Sequence, residues 1–174
     1  MVSQNTAFTR CTVAPKERKL MTQKGLRAER RILQGGPMTK YILVADDHRS
    51  VRRSLQTLIT QRQDWQVCAE AANGVEAVEK TKLLSPDVVV LDLAMGGLNG
   101  VEAAGQICAK CPATVVLAIS MYDAKPLFPR LQVIGVRGFV SKNHLATDLL
   151  PAIGAILEGR SWFPTEGECS RPAS

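Results

Sequence analysis

Asp87-Val88-Val89-Val90-Leu91-Asp92 is the most strand-like stretch of this 174-residue chain. Its four central residues are all apolar, with no polar residue alternating between them. A strand covered on both faces needs that pattern, and such strands lie inside parallel sheets. Ser85-Pro86 breaks whatever precedes it, and Pro disfavours a helical residue before it. Beyond Asp92 a Gly-rich loop, Met95-Gly96-Gly97-Leu98-Asn99-Gly100, leads into a predicted helix over 101–110.

The same alternation extends in both directions. Tyr41–Ala45 is a short apolar run ending in Asp46-Asp47. Residues 48–62 place Val51, Leu55, Leu58 and Ile59 on one helical face. Residues 65–71 read as a strand, and 74–84 as a helix turning Val75 and Val78 inward. After the central strand come a strand over 114–119 ending at Ser120, a helix of undefined start, and a short strand over 138–140 ending at Ser141-Lys142. A last helix covers 145–157, with Gly159 placed to stop it. Five strand–helix units with right-handed crossovers imply an open, five-stranded parallel sheet covered on both faces. This is an α/β, three-layer α/β/α sandwich.

Composition excludes several classes. The chain is 45% hydrophobic and 22% charged, which is globular. No apolar run approaches the ~20 residues that span a bilayer, and residues 1–20 lack the apolar core of a secretory signal. The net charge of +6 is not spread evenly. Residues 1–40 hold nine Lys/Arg against two Glu, a net of +7, whereas residues 41–174 net −1. The basicity belongs to an arm over residues 1–37 that ends in Gln34-Gly35-Gly36-Pro37 and reads as a disordered linker. The five Cys are irregularly spaced. Cys108-Ala-Lys-Cys111 is a lone CxxC closing a helix, without the second ligand pair that structural zinc needs. These are read as reduced thiols.

In an open parallel sheet, chemistry collects at the carboxyl ends of the strands. Here those ends supply Asp46 and Asp47, Asp92, Ser120, and Lys142. Carboxylates ~4 Å apart repel by roughly 4 kcal/mol at an effective dielectric of ~20, so the cluster calls for a cation. Oxygen ligands favour a hard divalent ion, Mg²⁺ or Mn²⁺. A metal, a carboxylate nucleophile, an ammonium and a hydroxyl together make a phosphoryl-transfer site. Singly, each residue is ordinary: a strand-end Asp caps a turn, and a lone Lys is solvated.

The sequence resembles the receiver domains of bacterial two-component response regulators, closest to the subgroup that carries a LuxR/NarL-type helix-turn-helix. The motifs are Ile42-Leu43-Val44-Ala45-Asp46-Asp47-His48, Glu70-Ala71-Ala72-Asn73-Gly74, Pro86-Asp87-Val88-Val89-Val90-Leu91-Asp92-Leu93, Leu98-Asn99-Gly100 and Gly135-Val136-Arg137-Gly138-Phe139-Val140-Ser141-Lys142. They imply a flavodoxin-like sheet of order 2-1-3-4-5 over a receiver domain at 38–163, followed by a tail at 164–174. The resemblance also implies roles. Asp92 would accept phosphoryl from a sensor histidine kinase or a phosphotransfer protein. Mg²⁺ would be held by Asp47, Asp92 and the backbone carbonyl of Ala94, and by Asp46 through water. Lys142 and Ser120 would bind the phosphoryl group, and Phe139 would be the aromatic switch residue. His48 is expected to be exposed and not a ligand.

Departures from the family pattern fall at Gly96, where Pro is common, and at Asn143, where Pro often follows the Lys. Pro126 and Pro129 predict a fourth helix that starts late, is short, or is kinked. The eleven residues after Phe163 cannot form a DNA-binding helix-turn-helix. The chain therefore reads as a stand-alone cytoplasmic receiver, a switch and not an enzyme. It would work as a monomer or a phosphorylation-dependent dimer, signalling through a downstream protein partner or by phosphorelay. The alternative is a transcription-associated regulator that uses the basic arm, but the arm has no aromatic interleaving or motif for nucleic acid. A haloacid-dehalogenase-type hydrolase needs a second Asp two residues after the nucleophile, where this chain has Ala94. An FMN-binding flavodoxin needs a phosphate cradle where Asp46-Asp47 would repel the ligand.

Overall fold

A computed structural model describes residues 39–96, 99–122 and 124–164. The basic arm expected over 1–37 lies outside these residues, as does the expected tail apart from Pro164. The strands are β1 (Lys40–Ala45), β2 (Trp65–Ala71), β3 (Val88–Asp92), β4 (Val115–Ser120) and β5 (Gly138–Ser141). The helices are α1 (Arg49–Ile59), α2 (Gly74–Leu84), α3 (Gly100–Lys110), α4 (Phe128–Val133) and α5 (Leu145–Leu157). The sheet is parallel throughout, in the order β2-β1-β3-β4-β5. That is the predicted architecture.

Strand alternation divides the core in two. On one face Leu43, Ala45, Val89, Leu91, Val116, Ala118 and Phe139 pack with Ala77 and Val78 of α2, Ala103, Ala104 and Ile107 of α3, and Leu131 of α4. On the other, Ile42, Val44, Val88, Val90, Leu117, Ile119 and Val140 pack with Leu55 and Ile59 of α1 and Leu149, Ala152, Ile153 and Ile156 of α5. Every residue of β3 is buried, which explains its unbroken apolar sequence.

Local signals set the helix ends. Asn73 caps α2 by accepting from the Glu76 amide at 2.9 Å. Asn99 caps α3 by accepting from the Val101 amide at 2.8 Å. Ser85 ends α2 in the left-handed region at φ 45°, just before Pro86. Gly159, at φ 82°, follows α5 as expected.

Two expectations are refined. Val75 does not face inward: it is 50% exposed. The buried face of α2 is Gly74, Ala77, Val78 and Thr81, an i, i+3, i+4, i+7 stripe that Val75 lies one residue off. The segment with two prolines forms a 3₁₀ turn at Lys125–Leu127 and then the six-residue α4. Pro126 lies in the turn and Pro129 in the first turn of α4, where a missing N–H costs no helical bond. The helix is late and short, and its break falls between the two prolines.

Candidate functional site

The carboxyl ends of β1, β3, β4 and β5 bring the predicted polar residues to one rim. Asp46 is completely buried and Asp92 almost so. Between them lies the ammonium of Lys142, from the turn after β5. Its Nζ is 2.6 Å from Asp46 Oδ2 and 2.7 Å from Asp92 Oδ2, and its side chain is only 6% exposed. Burial works to lower the Lys142 pKa, but the contacts with Asp46 and Asp92 outweigh it and hold the ammonium above the ordinary lysine value.

The other carboxylate oxygens are tied to the backbone. Asp46 Oδ1 accepts from the His48 amide at 2.9 Å, and Asp92 Oδ1 accepts from the Ala94 amide at 3.0 Å. These local bonds aim both side chains across the rim. Asp47 is partly exposed and pairs with His48 Nδ1 at 2.6 Å. The His48 side chain is 70% exposed, as the sequence implied. Ser120 is buried, and its Oγ accepts from the Tyr122 amide at 3.1 Å. It pairs in register with Ser141, next to Lys142. A cavity of 270 Å³ opens over Asp92, Ala94 and Lys142, with Val51, Met121 and Tyr122 around it.

The donor set fits a hard divalent cation. Asp46 Oδ2 is buried against the Lys142 ammonium at 2.6 Å and accepts no other hydrogen bond among the described residues, which leaves it lone-pair capacity for a cation. Asp46, Asp47 and His48 can each offer a ligand atom within 4.8 Å of the others. The two carboxylates of this group suit Mg²⁺, whereas the His48 nitrogen is a donor that a hard ion disfavours.

Two residues of the site carried no usable signal in the sequence. Arg52 of α1 donates from its Nη1 to the carbonyl oxygens of Asp46 at 2.8 Å and Asp47 at 3.4 Å, while its Nε pairs with Glu70 at 2.8 Å. It ties the acidic loop to the end of β2. Gly100 opens α3 against the end of β3. A Cβ there would run into the Asp92 carbonyl oxygen and stand 2.5 Å from Leu93 Cα. The Leu-Asn-Gly motif contained this residue, but a close backbone approach has no periodicity to reveal it.

Comparison with known proteins agrees with this fold. Residues 42–154 match the response regulator receiver domain. The chain belongs to the response regulator receiver family. It is 33% identical over 122 residues to the oxygen regulatory protein NreC of Staphylococcus epidermidis, covering 70% of this chain and 56% of NreC. The chain thus spans about half the length of the curated relatives it matches. A LuxR-family two-component response regulator from an Aurantimonas species is 35% identical, with a TM-score of 0.68 over 71% of this chain and 89% of that one. The signal receiver domain of the response regulator NarL from Mycobacterium tuberculosis is 29% identical, with a TM-score of 0.67 over 71% of this chain and all of that one. Receivers are regulatory switches of two-component signalling that use Mg²⁺ at an acidic pocket. Among the described residues, no helix of this receiver is long and apolar enough to cross a membrane.

Proposed function

We propose that this receiver takes a phosphoryl group onto Asp92 from a phosphohistidine of a sensor kinase or phosphotransfer protein. It would then signal in the cytoplasm by changing its contacts with a downstream protein, or by passing the phosphoryl group on. The observation that carries this reading is the buried Asp46–Lys142–Asp92 triad beneath an open cavity.

In the reaction, an oxygen of the Asp92 carboxylate attacks phosphorus. A new P–O bond forms, the bond to the donor imidazole nitrogen breaks, and the imidazole leaves with that electron pair. Asp46, Asp47 and Asp92, with the Ala94 carbonyl, would hold a Mg²⁺ ion, which would supply positive charge to the phosphoryl oxygens. Lys142 is already beside Asp92 and needs little movement to pair with the incoming group, which makes it a preorganised electrostatic partner. The hydroxyl of Ser120 would exchange its bond from the Tyr122 amide for one to the phosphoryl group. Phe139, on β5 three residues before Lys142, would carry that change to the surface.

The product is an acyl phosphate, and that bond tests the reading. Label taken up from radiolabelled acetyl phosphate should be released by neutral hydroxylamine, which cleaves acyl phosphates. Label that resists hydroxylamine would place the group on a hydroxyl or a nitrogen and contradict the assignment.

A further inference from the structure

β5 is the last strand of the sheet, so its outer backbone edge needs a partner or water. The chain supplies the partner after α5. Trp162 forms a parallel bridge to Gly138. The Phe139 amide donates to the Trp162 carbonyl at 2.7 Å, and the Trp162 amide donates to the Arg137 carbonyl at 2.9 Å. A Cβ on residue 138 would stand 2.9 Å from the Trp162 carbonyl oxygen, so this close approach requires glycine. The rings continue the contact. Phe163 meets Phe128 edge-on at 5.2 Å, and Phe128 meets Phe139 at 5.0 Å.

We propose that residues 161–164 form a strap on the β5 edge that the phosphoryl site releases through Phe139. The inference rests on the phosphoacceptor reading of Asp92 and names the element that reading would move. Phe139 holds the strap twice, by its amide and through Phe128. It lies two residues before Ser141, which is in register with Ser120. A shift at Ser120 therefore reaches the strap through one short strand. There is also room for the ring to move. A close-packed core leaves few voids for a ring to enter, but a groove of 460 Å³ is lined by Phe128, Phe139, Trp162 and Phe163 together with Met121 and Tyr122. A strap held by a one-residue bridge and a ring contact belongs to the low-stability end of a fold, from which switching elements come.

The test uses the full chain with Mg²⁺ and beryllium fluoride, a phosphoryl mimic whose binding is read separately by the fluorine NMR signal of the bound ion. Hydrogen exchange is followed at the Phe139 and Trp162 amides. Bound beryllium fluoride should speed exchange at both by roughly tenfold, and leave the amides of β1 and β3 unchanged. Phe163→Ala and Trp162→Pro, each of which loosens the strap at a different point, should speed Phe139 exchange without the mimic. Because coupling is reciprocal, both should also tighten beryllium fluoride binding by about fivefold. Unchanged or slower exchange with the mimic bound, or unchanged affinity in both variants, would overturn the strap while leaving Asp92 as acceptor. Failure of the folded wild-type chain to bind the mimic at all would overturn the acceptor reading and the strap with it.

Discussion

The ammonium of Lys142 stands 2.7 Å from Oδ2 of Asp92, inside the sheet rim and almost out of reach of solvent. With Asp46 on its other side, it is the cation that lets two buried carboxylates coexist in the protein alone. Burying a charge is costly, and removing one partner of a buried pair leaves the other uncompensated.

Lys142→Met tests that balance. In EDTA the variant should lose about 3 kcal/mol of stability, because both carboxylates lose their counter-charge. Added Mg²⁺ should raise its urea midpoint more than it raises that of wild type, since the ion then has no ammonium to compete with. An equal Mg²⁺ response in the two proteins would show that metal and ammonium do not share these carboxylates.

The same triad fixes a pH dependence. The folded pKa of Lys142 is raised, with burial opposing and the Asp46 and Asp92 pairs prevailing. A raised lysine contributes stability that is fully present below its unfolded pKa of ~10.4 and is lost as pH climbs through the folded value. The stability gap between wild type and Lys142→Met, measured in EDTA by urea unfolding, should therefore be constant from neutral pH to about pH 10. It should shrink above that. A gap that closes nearer neutral pH would contradict the raised value.

Arg52→Ala removes the two bonds to the carbonyls of Asp46 and Asp47 and frees Glu70. No proposed metal ligand is altered, yet the loop that carries two of them loses its tie. Outer groups of this kind are worth ~10–100-fold in metal affinity. Mg²⁺ titration should show a loss in that range, with Arg52→Lys recovering part of it.

Gly100→Ala places a methyl group inside the backbone contact with Asp92 and Leu93. Overpacking of this kind costs about 1–3 kcal/mol. Because the displaced backbone carries the proposed acceptor, phosphoryl uptake from acetyl phosphate should fall by ~100-fold, as expected for a misplacement near 1 Å. Uptake at the wild-type rate in a destabilised variant would separate the two effects and remove Gly100 from the site.

Much of this was readable in advance, for identifiable reasons. The limits of β2, α2 and α5 coincide with those predicted, because period, Pro86 and Gly159 act locally. The site residues were readable as strand ends, since parallel topology converts strand order into a shared rim. What escaped is non-local. Arg52 reaches Glu70 across two elements, Gly100 meets Asp92 through a backbone contact, and Trp162 returns to Gly138 after a whole helix. None of these leaves a periodic trace. Val75 was misoriented for a smaller reason: two valines at i and i+3 suggested a face that the alanine and threonine of α2 define instead.

Intact-protein mass after incubation with acetyl phosphate reads out whether Asp92 accepts a phosphoryl group with the help of Mg²⁺. Wild type should gain one phosphoryl group, and the gain should disappear in EDTA and in Asp92→Asn. A gain that persists in Asp92→Asn, or no gain in a folded protein that binds Mg²⁺, would contradict Asp92 as the acceptor.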